Sequence, residues 1–236
     1  MTWLWRICFS ALWLVSATAA EVSGRVELAD SHQASVRRHN YSSVVVWLEA
    51  NGHSVALPPP RTFTMAQKGK QFTPHVLAIP LGSTVEFPNF DPIFHNVFSN
   101  FAGQVFDTGL YAPGSNQKVR FERPGIVRVF CNIHSSMSAV VLVLRTPYMA
   151  ISTADGRFEM DDVAPGAYHL RVWHEHATAE VLDTASRRIV VGPDGAAIPL
   201  LRISESGYLE IPHKNKYGQD YAEPGDDHTV YPGVRQ

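Results

Sequence analysis

The segment IVRVFCNIHSSMSAVVLVL, residues 126–144, decides the fold of this 236-residue chain. Its two apolar, β-branched runs, 126–131 and 138–144, predict a pair of strands joined by a tight loop. Successive side chains of a strand point to opposite faces, so Cys131 is expected to face the core and Arg128 to face away from it. The segment therefore predicts a strand that ends on an inward-pointing thiol.

Short strands separated by Gly or Pro turns recur on both sides of this segment. The predicted strands are 22–28, 43–49, 72–80, 83–88, 96–99, 118–121, 149–153, 157–160, 168–175, 187–191 and 197–203. Residues 30–42 and 58–70 are predicted as loops, and no window of twelve or more residues shows convincing helical periodicity. Regularly spaced short strands are typical of a sandwich or barrel, so the expected fold class is all-β.

Composition excludes several classes of protein. Hydrophobic residues make up 45% of the chain and charged residues 18%, which is enough apolar material for a core and excludes a disordered chain. The formal net charge of -2 offers no bulk attraction for nucleic acid. We therefore expect a globular protein that has no nucleic-acid partner.

The first twenty residues have the three-part pattern of a secretory signal peptide. A segment with one positive charge precedes a short apolar run, 7–15, and a stretch of small residues, 16–20. The run is too short to span a membrane, which takes about 20 apolar residues. We expect export to the periplasm and no membrane span after cleavage; an uncleaved anchor is the alternative.

Loss of the leader would remove Cys8 and leave Cys131 as the only cysteine. A single thiol in an oxidising compartment has three explanations: a buried inert thiol, an intermolecular disulfide or a metal thiolate.

The domain limits that we predict are 1–20 for the leader, 21–145 for a first β domain, 146–204 for a smaller one and 205–236 for a poorly ordered or docked polar tail.

A thiolate, an imidazole and a thioether fall within seven residues, at Cys131, His134 and Met137. No carboxylate lies close to them in sequence. Two His, one Cys and a weak axial Met form the trigonal blue-copper site, whereas zinc more often takes four stronger ligands. His95, which follows a Pro-constrained turn, supplies the missing imidazole. Its neighbour Asn96 is expected to hydrogen-bond backbone of the Cys131 loop.

These motifs resemble the cupredoxins, or type 1 copper proteins. His95-Asn96-Val97 followed by the Cys-x-x-His-x-x-Met loop is similar to plastocyanin and, in loop length, to amicyanin. The resemblance covers roughly residues 70–145 and implies a Greek-key β-sandwich that binds one copper ion through His95, Cys131, His134 and Met137. It departs from the amicyanin pattern at Ser135-Ser136, where that loop carries Pro.

The second predicted domain, 146–204, resembles the carboxypeptidase regulatory-like domain, a small Ig-like or transthyretin-like sandwich. The matching segment runs from the Asp155-Gly156 turn to Leu170. This resemblance implies a fold and no catalytic role. The whole layout is similar to larger periplasmic plastocyanin-like proteins of the methylamine-utilization type, with the cupredoxin sandwich followed by the smaller one.

Other histidines are weaker candidates for metal binding. His75 lies close in sequence to an incoming strand and could be a ligand, a proton-linked neighbour or a surface residue. His174 and His176 are two residues apart and could bind a metal, but exposed residues at a strand end are the favoured interpretation. Ser135 lies near His134 with no Asp to orient it, so hydrolysis is not supported and we expect no enzyme.

Three functional hypotheses follow from the sequence. The first is a periplasmic one-electron carrier that exchanges electrons with a redox protein such as a cytochrome or dehydrogenase, with the His134 edge as electron port. The second is a copper chaperone or tolerance protein using the same ligands. The third is a metal-free structural or interaction module, in which replacing Cys131 changes neither metal content nor colour.

Overall fold

The computed structural model describes residues 20–37, 39–100, 103–209 and 212–221. The predicted leader lies outside the described residues except for Ala20. The described elements are β1 (Ala20–Ala29), α1 (Ala34–Arg37), β2 (Val45–Ala50), β3 (Thr62–Thr64), β4 (Ala66–Gln67), β5 (Phe72–Thr73), β6 (Val76–Pro80), β7 (Thr84–Pro88), β8 (Phe98–Ser99), β9 (Phe106–Asp107), β10 (Asn116–Arg120), β11 (Gly125–Phe130), β12 (Ser138–Leu144), β13 (Met149–Ile151), β14 (Arg157–Val163), β15 (Gly166–Trp173), α2 (Ala179–Ala185), β16 (Arg187–Val191) and β17 (Ala196–Ser204). The predicted all-β class is confirmed.

Strands β3 to β12 form one sandwich, which we call the inserted sandwich. One sheet has the order β10-β7-β3, the other has the order β6-β12-β11-β8-β9, and β4 pairs with β5 at the side. Strands β11 and β12 are antiparallel in the register Phe130 with Ser138. Val127, Val129 and Cys131 are fully buried in the core of this sandwich, which confirms the predicted inward face of β11.

The remaining strands form a second sandwich, which we call the outer sandwich. Its sheets have the orders β14-β1-β17 and β13-β2-β15-β16. The predicted limits, 21–145 and 146–204, differ from this pairing, because β1 lies between β14 and β17 and β2 lies between β13 and β15. Alternation within a strand predicts which face is buried but not which strand is its partner, so residues 20–50 could not be placed from their own pattern.

The inserted sandwich thus lies in the chain between β2 and β13 instead of preceding the smaller sandwich. An apolar cluster joins the two units: Val45 and Trp173 of the outer sandwich pack with Val76, Val140 and Leu142 of the inserted one. Beside it, the Glu175 carboxylate pairs with the Arg128 guanidinium at 3.1 Å and with the His75 ring. The units therefore share a packed and charged interface.

Two short helices lie in segments without helical periodicity. Helix α2 has seven residues and begins after Thr178, whose side chain accepts a hydrogen bond from Val181 N. The predicted loop 30–42 contains α1, and the predicted loop 58–70 contains β3 and β4. Within the described parts of the chain, no helix combines the length and apolar character needed to cross a membrane.

Candidate metal centre

Three predicted ligands converge at one end of the inserted sandwich. The Sγ atom of Cys131 lies 3.7 Å from Nδ1 of His95 and 3.7 Å from Nδ1 of His134. The three donor atoms lie within 4.8 Å of one another. Cys131 and His95 are fully buried, whereas His134 is half-buried. The structure therefore brings together one sulfur and two imidazole nitrogens from residues up to 39 positions apart in sequence.

The backbone around each ligand accounts for this convergence. Cys131 directly follows β11, and its N–H donates to the carbonyl of Met137 at 3.1 Å. The N–H of Met137 donates to the carbonyl of His134 at 3.1 Å, which closes a tight loop. His95 is fixed by two backbone hydrogen bonds with Tyr111 on the facing segment.

The fourth predicted ligand, Met137, is fully buried. It belongs to the same apolar core cluster as Cys131 and directly precedes β12. The loop hydrogen bonds described above hold its backbone next to that of Cys131. Its role as a ligand stays a prediction that depends on the residue spacing.

A carboxylate supports the site, contrary to the expectation that none lies near. Asp91 Oδ2 accepts a hydrogen bond from Nε2 of His95 at 2.9 Å. The same carboxylate accepts from the backbone N–H groups of Gly69 at 2.6 Å and Lys70 at 2.8 Å. Because Nε2 donates to Asp91, Nδ1 of His95 is the nitrogen that faces the sulfur. Sequence analysis missed Asp91, although its position four residues before His95 was an available signal.

Asn96 joins the His95 segment to the Cys131 loop, as predicted. Its side-chain oxygen accepts a hydrogen bond from the backbone N–H of Asn132, and its amide donates to Asp107 at 3.0 Å. The predicted hydrogen bond from Asn96 to the loop is therefore confirmed. It ties together the two segments that carry His95 and Cys131.

The surroundings of Cys131 favour its thiolate form. Burial by itself raises the pKa of the thiol, but hydrogen bonds from His134, from His95 and from the backbone of Asn96 and Ile133 outweigh burial and bring the pKa to about 5. Burial lowers the pKa of His95, whereas the Cys131 sulfur and Asp91 raise it, and the net shift is upward. The sulfur and Nδ1 can share a proton or, once it is lost, bind a metal ion together.

Part of the predicted polar tail docks on the site. The Tyr221 hydroxyl donates to the carbonyl of Cys131 at 2.7 Å, and Nε2 of His213 donates to the carbonyl of Ser135 at 2.7 Å. The His213 ring stacks on Phe130 with a centroid distance of 4.0 Å. Lys216 N donates to the Asn132 side chain at 2.9 Å. Residues 212–221, which we call the tail strap, therefore cover the loop that carries Cys131.

Aromatic side chains provide part of an apolar surrounding for the site. Phe98 and Phe130 are buried and lie 5.8 Å apart between ring centroids. Phe94, which directly precedes His95, is half-buried. For residues 212–221 the docked alternative of the predicted tail is the one observed. The place of docking could not be predicted, since contacts between the Cys131 loop and residues some 80 to 90 positions later leave no local pattern.

The other candidate histidines lie outside this centre. His75 pairs with Glu175 at the interface of the two sandwiches. The prediction that His174 is exposed is wrong: it is 5% exposed, and its Nε2 lies 2.8 Å from Oε1 of Glu205. Glu205 comes 31 residues later in the chain, so the sequence around His174 could not reveal the carboxylate that covers it.

No protein-family model and no curated protein sequence matches this chain. Solved structures do resemble it. A purple cupredoxin from Nitrosopumilus maritimus is 24% identical over 35% of this chain and 99% of its own, with a TM-score of 0.32. Amicyanin from Paracoccus versutus is 20% identical over 35% of this chain and 81% of its own, with a TM-score of 0.33.

A copper-containing nitrite reductase from Thermus scotoductus is 24% identical, with a TM-score of 0.35. That match covers 51% of this chain and only 28% of the reductase. These low identities and TM-scores carry no functional argument.

Proposed function

We propose that this chain is a periplasmic copper protein that carries one electron at a type 1 site. The ligands are His95, Cys131 and His134, with Met137 as the weak fourth ligand. The observation that carries the proposal is the convergence of one buried sulfur and two imidazole nitrogens within 4.8 Å of one another. Met137 belongs to the site through its spacing from Cys131 and its burial in the same core cluster.

The donor set fits copper. A thiolate and a thioether are soft ligands, imidazole suits copper in both of its common oxidation states, and two His with one Cys is the set of the blue-copper centres. The low pKa of Cys131 means that the thiolate is available at neutral pH without a large cost for losing the proton. When bound, copper supplies the one-electron redox chemistry.

The chain holds these donors in place before any ion binds. Asp91 fixes the ring of His95, Asn96 fixes the Cys131 loop, and the loop hydrogen bonds fix the backbone of His134 and Met137. Such outer contacts orient the ligands and tune their basicity. A rigid, mostly buried donor set favours electron transfer, because little rearrangement accompanies a change of charge.

The electron is proposed to leave through the half-buried His134 edge, next to the tail strap. His213 and Tyr221 of that strap contact the backbone of Ser135 and Cys131 on this side. The partner is proposed to be a periplasmic redox protein such as a cytochrome or dehydrogenase. Its docking surface would include the strap as well as the loop.

Electrochemistry of the copper-loaded chain tests the proposal. The wild-type protein is expected to give a reversible one-electron wave, which the Cys131→Ser variant lacks. Cys8→Ser serves as the matched control if the leader is retained, since it removes the other thiol of the sequence. Copper uptake without a reversible wave would favour the chaperone or tolerance function, and no copper uptake by folded protein would overturn both.

A further inference from the structure

A second cluster of metal-ligand side chains lies in the outer sandwich. His174 directly follows β15, His176 lies two residues later, and Glu205 directly follows β17. Each residue offers one ligand atom, and the three atoms lie within 4.8 Å of one another. Since β15 and β17 belong to different sheets, this cluster joins the two layers of the sandwich.

One nitrogen in this cluster is buried without a hydrogen bond. Nε2 of His174 donates to Glu205 at 2.8 Å, which leaves the lone pair of the ring on Nδ1. Nδ1 is buried and has no hydrogen-bond partner among the residues that the structure describes. His174 is only 5% exposed, and the two nitrogens of an imidazole point to opposite sides of the ring. Nε2, which faces Glu205, is therefore the His174 atom that an ion in this cluster would meet.

The other two members are held by polar neighbours. Ser31 donates to Oε2 of Glu205, and the Gln33 amide lies against Nδ1 of His176 and 3.5 Å from Oε1 of Glu205. These contacts hold the His176 ring and the Glu205 carboxylate in place. A cavity of about 210 Å³ lined by both histidines and Gln33 adjoins the cluster, which leaves room for an ion and water.

We propose that His174, His176 and Glu205 form a second metal site, for a divalent ion of the zinc class. Two imidazoles and one carboxylate are ligands that Zn²⁺ accepts, and such a set leaves a position for water. The cluster contains no thiolate or thioether, so it lacks the soft ligands that select Cu(I). It shares no residue with the Cys131 site and is independent of the proposed electron transfer.

Equilibrium dialysis against Zn²⁺ alone, followed by metal analysis, tests this site. The background is the full chain carrying Cys131→Ser, which removes the thiolate of the first site. We expect saturable uptake of one Zn²⁺ per chain. In this background, His176→Ala and Glu205→Gln are each expected to weaken Zn²⁺ binding about tenfold or more. His169→Ala is the matched control, because His169 lies on β15 and contacts Arg188 instead of the cluster.

Thermal unfolding with and without Zn²⁺ distinguishes the loss of the metal site from a general loss of stability in a variant. Zn²⁺ is expected to raise the unfolding midpoint of Cys131→Ser, because it binds only the folded chain, and to have little effect when His176→Ala is added. Failure of folded Cys131→Ser protein to take up Zn²⁺ would overturn the second site, leaving a buried His–Glu hydrogen bond only. Uptake that is unchanged by both His176→Ala and Glu205→Gln would overturn it equally.

Discussion

At the residue scale, Asp91 connects the metal centre to the fold. Its carboxylate accepts hydrogen bonds from the His95 ring and from two backbone N–H groups of the β4–β5 turn, at Gly69 and Lys70. Burial raises the pKa of this carboxyl, but the hydrogen bonds from Lys70, His95 and Gly69 outweigh it and place the pKa below its usual value. The charged form is therefore stabilised by folding.

Asp91→Asn is expected to lower the free energy of unfolding by about 1.5–3 kcal/mol, the typical contribution of hydrogen bonds to a charged group. Copper affinity is expected to fall about tenfold or more, because the His95 ring loses its orienting acceptor. Urea unfolding and copper titration measure the two effects. Asp161→Asn, an exposed acidic residue of β14, is the control.

The stabilisation by Asp91 also has a defined pH dependence. Because the folded pKa lies below the ordinary value of 3.8, the difference in unfolding free energy between wild type and Asp91→Asn should be fully present above that pH. It should decline as the pH falls through the folded pKa. A difference that grows on acidification would contradict this role of the carboxylate.

Cys131 provides a direct test of the electrostatics in metal-free protein. Its pKa of about 5 predicts that the far-ultraviolet absorbance of the thiolate appears with a midpoint near that pH. Cys131→Ser gives the baseline, and His134→Ala is expected to move the midpoint upward, because it removes one hydrogen bond to the sulfur. A midpoint at the ordinary thiol value of about 8.5 would contradict the geometry.

The site residues that could be predicted from the sequence are those that lie close to Cys131 along the chain. Cys131, His134 and Met137 lie in one loop, so their spacing and the alternation of β11 sufficed to nominate them. His95 lies 36 residues earlier, and its motif was needed to find it. Asp91 lies only four residues before His95 but was not identified as its hydrogen-bond acceptor, whereas Tyr221 contacts Cys131 from 90 residues later in the chain, which no local pattern records.

At the element scale, the tail strap is the least expected part of the site. Residues 212–221 contact the Cys131 loop through Tyr221, His213 and Lys216. A second contact holds the strap to the sheet edge, since Nζ of Lys216 pairs with Asp107 at 2.6 Å. The strap therefore bridges the metal loop and β9.

Truncation after Leu209 removes the strap. The copper spectrum is expected to persist, because no proposed ligand is lost, while oxidation of the reduced protein by ferricyanide becomes several-fold faster as the loop is uncovered. Stopped-flow absorbance measures the rate. Tyr221→Phe separates the hydrogen bond to Cys131 from simple coverage, and Tyr217→Phe is a control on an exposed ring of the same segment. An unchanged rate after truncation would show that the strap does not shield the site.

At the scale of the whole molecule, one carboxylate links the two sandwiches. Glu175 follows β15 of the outer sandwich and pairs with His75 and Arg128 of the inserted one. The hydrogen bond to Glu175 is the largest influence on His75 and raises its pKa above 6.5, more than burial lowers it. Protonated His75 is therefore favoured in the folded chain.

Because His75 pairs with Glu175, we expect the free energy of unfolding to depend on pH near neutrality. The contribution of His75 should be fully present below pH 6.5 and lost as the pH rises through its higher folded pKa. The difference in unfolding free energy between wild type and His75→Gln should shrink accordingly over that range. His53→Gln, at an exposed site of the outer sandwich, is the control. The opposite trend would contradict the assigned pair.

The arrangement of the two sandwiches was the part of the fold that the sequence could not give. Most strands were predicted close to their observed bounds, and the Asp155-Gly156 turn lies between β13 and β14. These two strands belong to different sheets, so the turn joins the two layers of the outer sandwich and does not form a hairpin. Strand partners are set by packing across both sheets, so β1 and β2 were assigned to the nearer domain in sequence. Their pairing with the strands that follow residue 146 makes the inserted sandwich an insertion in the outer one.

The visible spectrum of the chain after addition of Cu(II) tests the central claim most directly. The account predicts an intense blue or green band from thiolate-to-copper charge transfer in the wild type and its absence in Cys131→Ser. Folding of both proteins is checked by circular dichroism. A folded wild-type chain that gives no such band, or a band that survives in Cys131→Ser, would contradict the type 1 site.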